Sequence, residues 1–203
     1  MRTELKLAAF RDRLHARSDA LLAMPARRLA ERGVTANHVT VAGLVLTLPA
    51  ALLAANAHYL GAGVIFLLAS LLDLFDGALA RAASRSSSFG ALLDSTLDRI
   101  GEAAMLAALA WRFAIEGDAL MVVVSMAALT GGFLTSYVRA RAEGLGIECR
   151  EGGFTRPERV LLLGFGLLFG QPRAAVVLLA VLSLLAAAQR LYIVNRATAE
   201  GPR

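Results

Sequence analysis

The chain of 203 residues has one cysteine, one tryptophan and three histidines. The lone cysteine, Cys149, excludes an internal disulfide framework and says little about redox compartment. One cysteine and three scattered histidines supply no ligand set for zinc. Aromatic residues make up only 6% of the chain, so no basic stripe interleaved with stacking rings supports nucleic-acid binding. No apolar N-terminal stretch ends in an A-x-A-like cleavage site, so no secretory signal is expected. What is abundant is aliphatic: 57% of residues are hydrophobic and mean hydropathy is +0.61. A soluble domain is roughly 45–50% apolar. The excess, in Ala, Leu and Val, fits a polytopic all-α membrane protein. The net charge of +5 then belongs with cytoplasmic loops and anionic lipid.

Apolar runs of about 20 residues, the length that crosses ~30 Å of hydrocarbon, recur along the sequence. Six are read, at 38–57, 59–81, 88–113, 119–141, 157–170 and 173–195. Short breaks rich in Gly, Ser and Pro separate them. Pro157 suits the first turn of the fifth helix. With the N-terminus inside, eighteen Lys and Arg fall on cytoplasmic segments and only Arg112 and Arg173 outside. That asymmetry places both termini in the cytoplasm. Residues 1–36 alternate apolar and basic positions at helical spacing, as in "LAAFRDRLHARSDALLAMPARRLAERG". They are expected to form an amphipathic helix on the cytoplasmic interface. Residues 37–203 then form one transmembrane domain. The small-residue run Thr130–Phe133 suits close packing of helices or of subunits.

Against this apolar background stands "DLFDGALARAASRSSSFGALLDSTLD". Asp73 and Asp76, three apart, share one helix face; Asp94 and Asp98, four apart, share another. A tight polar turn brings the faces together near the cytoplasmic side. Charges in membrane helices are costly and face a bundle interior or wet cavity. Four converging carboxylates repel one another unless a cation lies between them. An all-oxygen ligand set suits Mg²⁺ or Mn²⁺. Gly77 leaves room for a base or phosphate. Gly90 suits either helix packing or the approach of a ligand. A transport path would spread its acids toward both membrane faces, and these lie at one. A UbiA-like prenyltransferase would separate its acid motifs widely, and these lie within 26 residues.

The eight residues Asp73, Asp76, Gly77, Ala80, Arg81, Gly90, Asp94 and Asp98, at that spacing, resemble the signature of the CDP-alcohol phosphotransferase family. The resemblance implies six transmembrane helices, a homodimer in the cell membrane, and a divalent metal. It also implies transfer of a phosphatidyl group from CDP-diacylglycerol to an alcohol, with release of CMP. Asp73, Asp76 and Asp94 are then the metal ligands. Asp98 is the base for the acceptor hydroxyl, and on the same resemblance a metal ligand as well. The CDP-lipid contacts carried over are Asp73, Gly77, Ala80, Arg81, Ser87 and the stretch Asn37, His38, Val39 and Thr40. Asn37 equally fits a helix cap.

Arg139, Arg156, Arg159 and Arg190 gather on the cytoplasmic side, where loops are basic in any membrane protein. Arg139 and Arg190, at helix ends, suit something more, because the guanidinium fork binds phosphate bidentately. A second phosphate would belong to a phosphorylated acceptor. "SYVRARAEGLG", "GGFTRPER" and "QRLYIV" resemble the bacterial phosphatidylinositol-phosphate synthase branch of the family, which uses inositol 1-phosphate. That resemblance carries the acceptor-phosphate pocket over to Arg139, Arg156 and Arg190, and Arg159 is grouped with them as an expected phosphate contact. That branch often has Lys where Arg139 stands. Glycerol 3-phosphate is the near alternative acceptor, and a small membrane transporter the remote alternative function.

Overall fold

The computed structural model describes residues 24, 28–82, 87–147, 149 and 153–199, without the side chains of 74, 76–78 and 80–82. The interfacial helix expected within 1–36 therefore lies mostly outside the described residues, as does part of the polar turn after Arg81. Besides the helical residues 24 and 28–31, the described residues form six helices: α1 Ala36–Ala55, α2 Tyr59–Ala82, α3 Ser88–Ile115, α4 Ala119–Gly144, α5 Arg156–Leu168 and α6 Pro172–Ala199. Each bound falls within four residues of the sequence expectation. The all-α class holds among the described residues.

Three helices, Ala36–Ala55, Ala119–Gly144 and Pro172–Thr198, are long and apolar enough to cross a membrane. In α2 the stretch Tyr59–Asp73, up to where its side chains leave the described set, is apolar. Two helices miss that standard for separate reasons. α3 carries Asp94, Asp98, Arg99 and Glu102 among its 28 residues. α5 has 13 residues, about 20 Å of helix against ~30 Å of hydrocarbon. In α3 the signature aspartates themselves dilute the apolar run.

The helix ends share one device. After α1, α3, α4 and α5, a residue of positive φ is followed by an N–H that reaches back five residues. The bonds run from His58 to Leu53, Asp118 to Phe113, Ile147 to Ala142 and Gln171 to Gly166, at 2.7–2.9 Å. This Schellman closure satisfies carbonyls that the helix leaves open. Gly117, Gly146 and Gly170 hold three of the left-handed positions, but Ala57 holds the fourth at φ 61°. A residue with a Cβ is disfavoured there by roughly 1 kcal/mol. Ala57→Gly is therefore expected to raise the melting temperature of the purified protein. A lower melting temperature would show that the Ala57 methyl contributes more by packing than it costs in backbone strain.

Two compact units divide the chain: Met1–Val45 with Leu68–Asp98, and Leu46–Leu67 with Arg99–Arg203. The division runs through α1, α2 and α3. In the first unit Leu79 is buried against Leu29, Ala30, Val34 and Val39. In the second, Phe66, Met105, Leu109, Phe113, Leu163, Leu167 and Val176 form a continuous core. Close backbone approach replaces bulk where helices cross. A Cβ on Gly63 would stand 2.8 Å from the Leu168 nitrogen. One on Gly131 would stand 2.8 Å from Ser183 Cβ, so this part of the Thr130–Phe133 run seats α4 on α6. Without a hydrophobic driving force between helices in lipid, such contacts carry much of the association. At the opposite end of the helices from Arg190, Arg173 pairs with Glu116 at 2.5 Å and Asp118 at 3.3 Å. Arg112 pairs with the same Glu116 at 2.7 Å.

Candidate active site

All four signature aspartates belong to the first unit. Asp73 is a half-buried residue of α2, and Asp94 and Asp98 are half-buried on α3. Asp76, Gly77, Ala80 and Arg81 lie on α2, but their side chains are outside the described set. Among the described residues no three His, Cys, Asp or Glu side chains are drawn together as a metal site, a set that leaves out Asp76. The residues present nevertheless suit a hard cation, because every candidate donor is a carboxylate oxygen. Gly43 of α1, which carries no sequence signal of its own, makes room for one of them. A Cβ there would lie 3.3 Å from Asp73 Oδ1, against the carboxylate.

The expected donor contacts are partly gathered. A Cβ on Gly90 would stand 3.0 Å from Ser87 Oγ and 3.1 Å from Asn37 Oδ1. What approaches Gly90 among the described residues is the Asn37 carboxamide beside Ser87 Oγ. Asn37 is not the cap of α1. That role falls to Thr35, whose Oγ1 accepts the His38 N–H at 3.3 Å. His38 Nδ1 accepts the Thr35 N–H in return, also at 3.3 Å. This reciprocal arrangement is a capping box with His in place of the usual Glu. The Asn37 side chain is consequently not needed by its own helix end. Ser87 caps α3, its Oγ accepting the Gly90 N–H at 2.9 Å. That bond uses a lone pair and leaves the hydroxyl hydrogen to donate. Val39 packs on Leu79, and Thr40 is buried with its hydroxyl donating to the Ala36 carbonyl at 3.0 Å.

The four arginines belong to the second unit and are held differently. Arg139 is exposed on α4 and pairs with Glu143 at 2.9 Å. An exposed i,i+4 pair contributes only about 0.3–0.5 kcal/mol and restrains the guanidinium weakly. Arg156 opens α5 and is half-buried. Its helix is fixed by Thr155, whose N–H donates to Glu158 at 2.8 Å, and by Pro157 in the first turn. Arg190 is 6% exposed on α6. Its Nη1 donates to the Thr135 carbonyl at 2.5 Å, and its Nε has no hydrogen-bond partner among the described residues. A buried guanidinium N–H without an acceptor is costly, and an anion relieves that cost. The neighbouring Gln189 accepts the Gly153 N–H at 3.4 Å, tying the segment before α5 to α6.

Arg159, expected as an acceptor-phosphate contact, is engaged by the protein itself. It is 4% exposed, and its fork closes on Glu102 through Nε at 2.6 Å and Nη2 at 2.9 Å. Nη1 faces Thr135 Oγ1 at 3.4 Å. Each guanidinium nitrogen already has a protein partner. Glu102 and Thr135 attracted no notice in the sequence, since each is a single polar residue on an apolar helix.

The fold and the signature have counterparts among known proteins. Residues 33–198 match the family model of CDP-alcohol phosphatidyltransferase. The archaetidylinositol phosphate synthase of Pyrococcus horikoshii is 35% identical over 167 residues, covering 82% of this chain and 86% of that protein. The phosphatidylinositol phosphate synthase of Mycobacteroides abscessus is 35% identical over 179 residues, covering 84% and 81%. Among solved structures, Mycobacterium tuberculosis phosphatidylinositol phosphate synthase with CDP-DAG bound superposes with a TM-score of 0.80 at 30% identity. That match covers 86% of this chain and 94% of the other. The same enzyme with manganese and citrate gives a TM-score of 0.79 at 30% identity, over 85% and 88%. With the eight signature residues in place and the family match running across α1 to α6, this chain belongs to the CDP-alcohol phosphatidyltransferase family.

Proposed function

We propose that the protein transfers the phosphatidyl group of CDP-diacylglycerol to the hydroxyl of inositol 1-phosphate, giving phosphatidylinositol phosphate and CMP. The observation that carries the acceptor is Arg190: a buried guanidinium with an N–H unpartnered among the described residues, in a chain whose matched relatives make inositol phosphate lipids. The donor is read onto Asn37, His38, Val39, Thr40, Asp73, Gly77, Ala80, Arg81 and Ser87. The convergence of Asn37, Ser87 and Gly90 supports the Asn37 and Ser87 part of that reading. Asp73, Asp76, Asp94 and Asp98 would hold Mg²⁺ or Mn²⁺; when bound, such an ion neutralises charge on the pyrophosphate.

Asp98 takes the proton of the acceptor hydroxyl. The hydroxyl oxygen attacks the phosphorus that bears the lipid, and CMP leaves with the electrons of the broken P–O bond. Arg81 steadies the donor phosphate. Arg139, Arg156 and Arg190 hold the acceptor phosphate, and Arg159 is assigned to the wall behind them because Glu102 occupies its fork.

The enzyme is read as a homodimer with six membrane crossings. Its termini and active site face the cytoplasm, as the eighteen-to-two distribution of Lys and Arg supports. Purified protein with CDP-diacylglycerol and Mg²⁺ or Mn²⁺ tests the reaction, with inositol 1-phosphate, glycerol 3-phosphate, inositol and serine compared as acceptors. The expected result is kcat/KM for inositol 1-phosphate at least ~10-fold above each other acceptor, a difference of about 1.4 kcal/mol. Preference for glycerol 3-phosphate would move the enzyme to the phosphatidylglycerol-phosphate branch.

A further inference from the structure

Glu102 has no place in the signature or in the chemistry above, yet it is 9% exposed and bears a carboxylate. Its two oxygens take the Arg159 fork at 2.6 and 2.9 Å. Arg159 Nη1 reaches Thr135 Oγ1 at 3.4 Å, and the Thr135 carbonyl receives Arg190 Nη1 at 2.5 Å. Thr135 is fully buried, and its hydroxyl donates to the Gly132 carbonyl at 2.7 Å. One chain of contacts thus links α3, α5, α4 and α6, ending on Arg190. Gly132 is part of it: a Cβ there would stand 2.9 Å from Glu102 Oε1.

A buried ion pair is a poor device for stability, because well-packed apolar residues of similar volume often serve as well. What the two-point fork supplies is orientation. Without Glu102, Arg159 would be a second uncompensated cation beside Thr135, drawn toward any anion nearby. We infer that Glu102 is a positioning residue: through Arg159 and Thr135 it fixes Arg190 as the guanidinium presented to the acceptor phosphate. This rests on the acceptor reading given above.

Glu102→Gln and Arg159→Lys test it. The first removes the charge at constant shape. The second keeps the ion pair but loses the fork that reaches Glu102 and Thr135 together. In both, the KM for inositol 1-phosphate is expected to rise about tenfold, with the KM for CDP-diacylglycerol unchanged within about twofold. A role confined to folding would lower the melting temperature and leave that split absent. If Glu102→Gln does not fold, the apolar pair Glu102→Leu/Arg159→Leu is measured in the same way. Acceptor KM unchanged in folded variants, or both KM values rising together, would overturn the inference. Arg190→Ala separates the two levels. If it leaves acceptor KM unchanged, the acceptor reading falls and this inference with it. If it raises acceptor KM while the Glu102 and Arg159 variants do not, only the positioning role falls.

Discussion

In Asp98→Asn, turnover with CDP-diacylglycerol and inositol 1-phosphate is expected to fall by about a thousandfold or more. A positioned general base contributes about 10²- to 10⁴-fold, and the amide cannot accept the proton. Asparagine has almost the same shape as aspartate, so α3 is expected to remain folded around residue 98. Binding of CDP-diacylglycerol, measured without acceptor, is expected to survive, because the donor contacts are read onto α1, α2 and the residue that caps α3. The metal requirement separates the base from its neighbours. Loss of Asp73 or Asp94, read as ligands, should shift the Mg²⁺ or Mn²⁺ concentration needed for half-maximal activity. Asp98→Asn should lower the plateau far more than it shifts that concentration. Turnover near the wild-type level would remove Asp98 from the role of base.

What the sequence made legible follows from what is local. Six helices were readable because four of the five breaks between apolar runs hold Gly, Ser or Pro, the exception being the one at Ala57, and the turns in the structure use glycines at 117, 146 and 170 for left-handed residues. The aspartates were readable because a carboxylate in an apolar helix is costly, and two pairs at helical spacing call for a cation to offset that cost. The Glu102–Arg159 pair was not readable. Its members stand 57 positions apart, and nothing local to either one names the other. Arg159 was consequently grouped with the phosphate-binding arginines by its place in a basic segment. Asn37 shows the converse ambiguity. It has a residue type that caps helices, but the chain enters α1 two residues earlier, and Thr35 with His38 closes the end. Gly43 was silent for a third reason. A glycine in an apolar helix signals close approach without saying to what, and only the fold puts Asp73 against it.

Arg190→Ala is expected to raise the KM for inositol 1-phosphate by about 30- to 100-fold, the ~2–3 kcal/mol of a charge-assisted hydrogen bond to phosphate. The donor KM should stay within about twofold, since the CDP-lipid is read onto the other compact unit. Three properties of Arg190 make it the most informative of the four arginines. It is buried, so its charge is poorly screened. Among the described residues it is held by one hydrogen bond to a carbonyl and by no carboxylate, so none of them neutralises its charge. Its Nε has no partner among the described residues. Arg139, exposed and paired with Glu143, should give a smaller effect. Comparing inositol 1-phosphate with inositol isolates the phosphate contribution. The variant should lose discrimination between the two acceptors, because only the phosphorylated one uses the guanidinium. Equal rises in acceptor and donor KM would remove Arg190 from the acceptor site. The same equal rises with a lowered melting temperature would assign Arg190 to the packing of α6 on α4 through Thr135.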